Sequence, residues 1–317
     1  MFVRGAKGGN DYMKNAVSLT LGNDVGNRNS KTANCCIENG ITKLASNPMF
    51  QTNILEYEGS KYQVNVGGQK LPDNKFDDDI YFLQHLAGIG AEMSYRGIYE
   101  ANVILAVGTP IARYGAEKKA YIQYLSRGDV YFIYEGRHFH IYIENVLVYP
   151  QCYAAILSKL KDMVGVEYVV DIGSWTVDIL KIVNRVPDES NCTSEPNGII
   201  TLMKHIDDVC MRKMNTKIDE YMMREVLIHG DANIDQVYID IIKECTAEYT
   251  KSIYRGLAEN GINVKTTPIT FVGGGAGLMK EYAGITSRNI SYIEDVKSNA
   301  KGYEQLAKMY LANKRGA

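Results

Sequence analysis

Asp171-Ile172-Gly173-Ser174-Trp175-Thr176-Val177-Asp178 lies between two apolar runs, so the segment 168–183 reads as strand, tight turn, strand. An Asp ends a buried strand, and a glycine two residues later lets the backbone double back. Such a turn aims several backbone N–H groups at one point, a nest suited to phosphate oxygens. The carboxylate cannot hold phosphate directly, because both are anionic. It serves through a divalent cation and its waters, which fits magnesium.

The same pattern stands once in the other half of the chain. Asp24-Val25-Gly26-Asn27-Arg28-Asn29-Ser30-Lys31 follows the apolar run Ala16 to Gly22 and precedes a second short strand, expected over Lys31 to Ile37. Lys31 supplies a compact positive charge for a β- or γ-phosphate. Either turn alone is most simply a hairpin, since short motifs mislead. Repetition changes the weighing: two phosphate hairpins facing each other across a cleft describe a duplicated nucleotide-binding fold.

A third turn, Phe271-Val272-Gly273-Gly274-Gly275-Ala276-Gly277-Leu278, has two readings. With Glu294-Asp295 some way downstream it imitates a dinucleotide-binding fingerprint. Its spacing is G-x-G-x-G, however, and only a short tail remains for the rest of such a domain. A Walker A sequence is absent, which argues against a P-loop NTPase.

Around these turns the order of elements is α/β. Residues 40–75 suggest a small strand-rich subdomain, and Ile80 to Met93 repeats at helical spacing behind Asp77-Asp78-Asp79. A buried strand over Asn102 to Val107 ends at Gly108-Thr109-Pro110, and a helix runs on through Leu125. Three strands are expected at 130–134, 137–143 and 145–149, then a helix over 151–163. Helices follow at about 199–214, 217–228 and 233–260, then a strand at 269–272, a helix, a strand near Ile290 and a last helix over 298–313. Hairpins open each half, so this is an α/β pattern built twice and not one parallel sheet.

The three turns, in this order, resemble phosphate 1, phosphate 2 and the adenosine motif of the actin/sugar kinase/heat-shock chaperone superfamily. The chain is most similar to its plasmid-segregation branch, the ParM-like actins. Asp171 to Asp178 resembles the DxGxxTxD signature of that branch, and Asn102 to Pro110 resembles its strand and turn before the connecting segment. Residues 37–100 and 185–265 match in pattern only. The resemblance implies an actin-like, duplicated ribonuclease H-like fold of two domains with a central nucleotide cleft. Domain I takes 1–163, with a small subdomain at about 38–100 and the helix 298–317 returning to it. Domain II takes 164–297, with a helical subdomain at about 185–265.

Residue by residue, the resemblance implies that Asp24 and Asp171 hold hydrated Mg2+, and that Asp24, Gly26, Asn27 and Lys31 serve the phosphates. Gly173, Ser174, Trp175 and Thr176 do the same from the second turn, and Gly273, Gly274 and Gly275 let the adenosine approach the backbone. Gln151, just ahead of the expected helix, matches the place where actins have Gln and ParM-like proteins commonly Glu. It would orient the attacking water, beside Asp171 in the catalytic set. Asn27-Arg28-Asn29 departs from the small residues usual in phosphate 1. The implied function is an ATPase that binds ATP or ADP and polymerises into dynamic filaments, with a DNA-binding adaptor linking it to a plasmid centromere. A small-molecule kinase, or an actin-fold scaffold that does not polymerise, are the competing readings.

Composition sets the outer bounds. The chain has 317 residues, 45% hydrophobic and 23% charged, enough for two ordinary cores. A net charge of −2 gives no global field toward nucleic acid or an anionic membrane. Met1 to Lys14 reads as a loose leader without the apolar centre of a signal peptide. Six cysteines without a Cys-x-x-Cys pair point to reduced thiols and a cytoplasmic setting. His138 and His140 share a strand face but make a poor metal site without a third ligand. Cys35 and Cys36 are expected on one strand, one thiol in the core and one at the surface. The 23 tyrosines suit filament contacts.

Overall fold

The structure, a computed structural model, describes residues 16–66, 76 and 78–315. The expected leader, Asp77 and the end of the expected small subdomain, 67–75, lie outside the described residues. The chain divides into two compact units, residues 1–154 with 299–317 and residues 155–298.

In the first unit the strands form one sheet. Its start is a meander: β1 (Val17–Val25), β2 (Asn29–Thr32) and β3 (Cys36–Glu38), paired antiparallel in sequence order. The second strand is therefore shorter than expected, and the chain turns again at Ala33–Cys35. That turn leaves Cys35 half-buried and Cys36 exposed, so neither is the core thiol foreseen. On its other side β1 pairs in parallel with β7 (Glu100–Thr109), and β7 with β9 (Arg137–Pro150). Both faces of β7 are covered, which is why Val103 to Val107 is a continuous apolar run. The two strands expected at 137–149 are one: Glu144 is an extra residue between Ile143 and Asn145, opposite Val103 and Ile104, and this bulge takes up the break in alternation.

β4 (Ile41–Lys43), β5 (Ile54–Tyr57), β6 (Ser60–Val64) and β8 (Asp129–Tyr134) extend the same sheet beyond β9. Helix α1 (Ile80–Arg96) is buried on nearly all sides and ends at Gly97. The left-handed Gly97 (φ 67°) gives its N–H to the carbonyls of Met93 and Ser94, a common way to close a helix. Helix α2 (Ile111–Leu125) lies against β7 and β9.

The second unit repeats the plan. β10 (Val166–Ile172), β11 (Val177–Val183) and β12 (Val186–Glu195) form an antiparallel meander, and β13 (Ile269–Val272) and β14 (Ile290–Ile293) add to β10 in parallel. The strand order β12-β11-β10-β13-β14 matches β3-β2-β1-β7-β9 of the first unit. The duplication expected from the turns is thus present in the sheets. α3 (Ile199–Met214), α4 (Glu220–His229) and α5 (Gln236–Glu259) come between β12 and β13, and α6 (Ala276–Tyr282) between β13 and β14. β12 falls at the start of the segment expected as a helical subdomain, where no single element was foreseen. It is a polar edge strand carrying Pro187, a place in a sheet that tolerates proline and lacks apolar alternation.

The helix expected over 151–163 does not form. Cys152 takes φ 61°, and the segment closes through short bonds such as Lys159 N–H to Ile156 O (2.8 Å), ending in a single 3-10 turn at Leu160–Asp162. The last helix, α7 (Ser298–Arg315), seats on the first sheet through glycines. A Cβ at Gly22 would lie 2.0 Å from the Ala300 carbonyl, and one at Gly302 would lie 2.0 Å from that of Ala154.

Candidate functional site

Each meander turns through the same hairpin. In the first, Val25 faces Ser30, and the Gly26 N–H donates to the Asn29 carbonyl at 3.0 Å. In the second, Ile172 faces Val177, and the Gly173 N–H donates to the Thr176 carbonyl at 2.9 Å. Two residues form each loop, Asn27-Arg28 and Ser174-Trp175. The two aspartates take equivalent places, Asp24 opposite Lys31 and Asp171 opposite Asp178.

Carbonyl bonds orient both loops. In the second, the carbonyls of Gly173, Ser174 and Trp175 accept from the N–H groups of Ile199 (3.0 Å), Ile200 (2.9 Å) and Gly198 (3.0 Å) at the start of α3. This satisfies donors that a helix start leaves orphaned. Peptide bonds are planar and none here is cis, so each carbonyl turned toward α3 sends the next N–H the opposite way. The N–H groups of Ser174, Trp175 and Thr176 therefore point away from α3 together, the geometry of an anion nest. In the first loop buried Asn39 plays the part of α3. Its N–H donates to Arg28 O (2.6 Å) and its side-chain amide to Gly26 O, which sends the N–H groups of Asn27 and Asn29 away from it.

Neither Asn39 nor Gly198 stood out in the sequence. Asn39-Gly40 is a turn pair, and a glycine just ahead of an apolar helical run marks Gly198. A Cβ at Gly198 would lie 2.5 Å from the Trp175 backbone, so that position has to be glycine.

In the first unit the structure gathers Asp24, Lys31 and Gln151. Asp24 is 4% exposed, with Lys31 Nζ 3.4 Å from one carboxylate oxygen and Gln151 Nε2 donating to the other at 3.4 Å. Pairing of β7 with β9 delivers Gln151, whose N–H donates to Thr109 O at 3.0 Å. Behind the hairpin, α1 follows the opposite face of β1 and β2. Asn23 donates to His85 O (3.2 Å), Ser30 to Asn23 Oδ1 (3.1 Å) and the Tyr81 hydroxyl to Val25 O (3.2 Å). The Tyr121 hydroxyl stands 3.0 Å from Tyr81 and 2.9 Å from His85 Nε2. Burial, and then the neighbouring Tyr81, push Tyr121 well above its usual range, so it acts as a neutral hydrogen-bonding group.

In the second unit Asp171 meets the glycine run. β10 and β13 pair in parallel with Asp171 opposite Val272. Gly273 (φ 82°) then packs so closely that a Cβ there would lie 2.2 Å from Asp171 Oδ1, and one at Gly275 would lie 2.3 Å from Ile172. Gly274 alone of the three has open space beside it. Internal packing accounts for the first and third glycines. Glu294, just after β14, is ion-paired with Lys280 at 2.7 Å. His140 bonds Asp129 at 2.6 Å and stacks on Tyr131.

No protein-family model and no curated sequence matches the chain. Solved structures do. The chain is similar to Ta0583, an archaeal actin homolog in complex with ADP, with TM-score 0.72 and 20% identity, over 92% of this chain and 99% of that one. It is similar to apo psk41 ParM (TM-score 0.69, 18% identity, 94% and 99% covered) and to Alp12 in its filament (0.67, 15%, 92% and 98%). One five-strand plan used twice, matched by actin homologues over more than nine-tenths of the chain, gives this protein the actin-like fold.

Proposed function

We propose that this chain is an actin-like ATPase that binds Mg-ATP and polymerises into filaments. The observation that carries the reading is the matched pair of loops, each with its carbonyls tied back and its N–H groups sent outward. In support, Ta0583 was solved with ADP and Alp12 as a filament.

The residues present fit magnesium. Asp24 and Asp171 are hard oxygen donors, and among the described residues no group of three or more His, Cys, Asp or Glu would cage an ion by itself. That donor set suits a cation that keeps its waters and leans on substrate phosphates. When bound, the ion would neutralise charge on the phosphates. The N–H groups of Asn27 and Asn29, and those of Ser174 to Thr176, would grip phosphate oxygens. Lys31 would leave Asp24 for a phosphate, and Gly274 would meet the adenosine. Gln151, holding Asp24 through its amide nitrogen, keeps its amide oxygen to accept from the attacking water. The proposed setting is the cytoplasm, where a DNA-binding adaptor would connect the filament to a plasmid centromere without direct DNA contact by this chain. Among the described residues no helix is long and apolar enough to cross a membrane.

Calorimetric titration with Mg-ATP tests the reading. We expect saturable one-to-one binding that Lys31→Ala weakens about 10- to 100-fold, the worth of one charge-assisted bond. Absence of binding by the wild-type chain at millimolar Mg-ATP would overturn it.

A further inference from the structure

Glu92, on the last turns of α1, has a side chain with no exposure and lies outside every turn described above. Its two oxygens accept four hydrogen bonds, from Thr32 Oγ1 (2.5 Å), Asn34 N–H (3.1 Å), Asn34 Nδ2 (2.6 Å) and Arg96 Nε (2.7 Å), and Arg96 Nη2 stands 2.6 Å away in the same ion pair. Arg96 Nη2 continues to Glu304 of α7 at 2.8 Å, and the same Glu304 oxygen faces the Gly22 N–H of β1 at 3.4 Å. A buried carboxylate with this many donors is costly to assemble and costly to disrupt.

Its position in the hairpin gives it a task. Thr32 follows Lys31, and neighbouring residues of a strand point to opposite faces. Thr32, with Asn23 and Ser30, faces α1; Lys31 faces Asp24 and the other side. A bond that fixes the inward residue therefore fixes the outward one. Thr32 opens the turn between β2 and β3 and Asn34 lies within it, so the start and the middle of that turn hang on one carboxylate.

We propose that Glu92 is a positioning residue for the phosphate-binding site: it holds β2 so that Lys31 stays opposite Asp24, and Arg96 anchors it to α7. This rests on the nucleotide reading above and assigns Glu92 no contact with substrate. Burial works to raise the Glu92 pKa, but the bonds from Thr32, Asn34 and Arg96 and the Arg96 charge prevail and hold it below the usual value near 4.5. It is thus an anion, able to accept all four hydrogen bonds, at neutral pH.

A double-mutant cycle on the full chain tests the proposal, with Mg-ATP affinity read by calorimetry. Glu92→Ala should weaken Mg-ATP about tenfold, and in a Lys31→Ala background it should cost less than twofold, because the residue it positions is gone. A residue that only supports the fold would cost the same in both backgrounds, and full additivity overturns the proposal. Should Glu92→Ala fail to fold, Thr32→Val replaces it, keeping the volume while removing the donor. The same outcomes then decide. Lack of Mg-ATP binding by the wild type would instead sink the nucleotide reading, so the two failures are separate.

Discussion

At the residue scale, Asp171 carries the sharpest prediction. It is 9% exposed, stands one residue before the end of β10 and packs its carboxylate against Gly273. Asp171→Asn keeps the shape and removes the charge that would hold the hydrated cation. Turnover of Mg-ATP should fall about 10²- to 10³-fold, as for other single preorganised groups, with the circular dichroism spectrum unchanged. Wild-type turnover in the variant would contradict the assignment. Glu92 carries a pH prediction. Its pKa in the folded chain lies below the usual value near 4.5, so its stabilisation is complete above that pH and is lost as pH falls through the folded pKa. Urea midpoints measured between pH 3 and 7 should show a steeper acid limb for the wild type than for Glu92→Gln. Legibility divided along chemical lines. Asp24, Gly26, Gly173 and Asp171 were readable because an apolar strand that ends in Asp-x-Gly marks a tight turn with a carboxylate at its edge. Asn39, Gly198 and Glu92 were not, because each acts on a partner distant in sequence, and no local pattern records that.

At the element scale, the seating of α7 on the first sheet depends on missing side chains. Gly22 sits under the backbone of Ala300 and Gly108 under the ring of Tyr303. Gly22→Ala pushes a methyl into backbone that cannot rotate aside, an overpacking cost of about 1–3 kcal/mol. Gly115→Ala is the contrast. Its Cβ would meet open space in the middle of α2, and the helix should gain about 0.5–1 kcal/mol. Thermal unfolding of the two variants should move in opposite directions; a fall in both, of equal size, would contradict the packing account. Elements with apolar alternation or helical spacing were legible in the sequence, α1, β7, α3, α5 and α7 among them. β12 was hidden because an edge strand needs no apolar face, and the segment 151–163 looked helical because its composition is helical while the left-handed Cys152 is set by tertiary context.

At the scale of the whole molecule, one meander-plus-parallel-strands plan occurs twice, and the turn of each copy is built to the same register. Filaments follow where a head-to-tail contact repeats by an operator that does not close. Gln151 enters here. If it places the attacking water, Gln151→Ala should assemble as the wild type does but disassemble more slowly, in step with slower phosphate release. Equal lifetimes would remove Gln151 from that role. The most direct test of the central claim is sedimentation across a range of protein concentration with Mg-ATP, Mg-ADP or no nucleotide. The account predicts a critical concentration above which the chain pellets with Mg-ATP, with far less pelleting in the other two conditions. A chain that hydrolyses Mg-ATP yet stays in the supernatant at every concentration would contradict it.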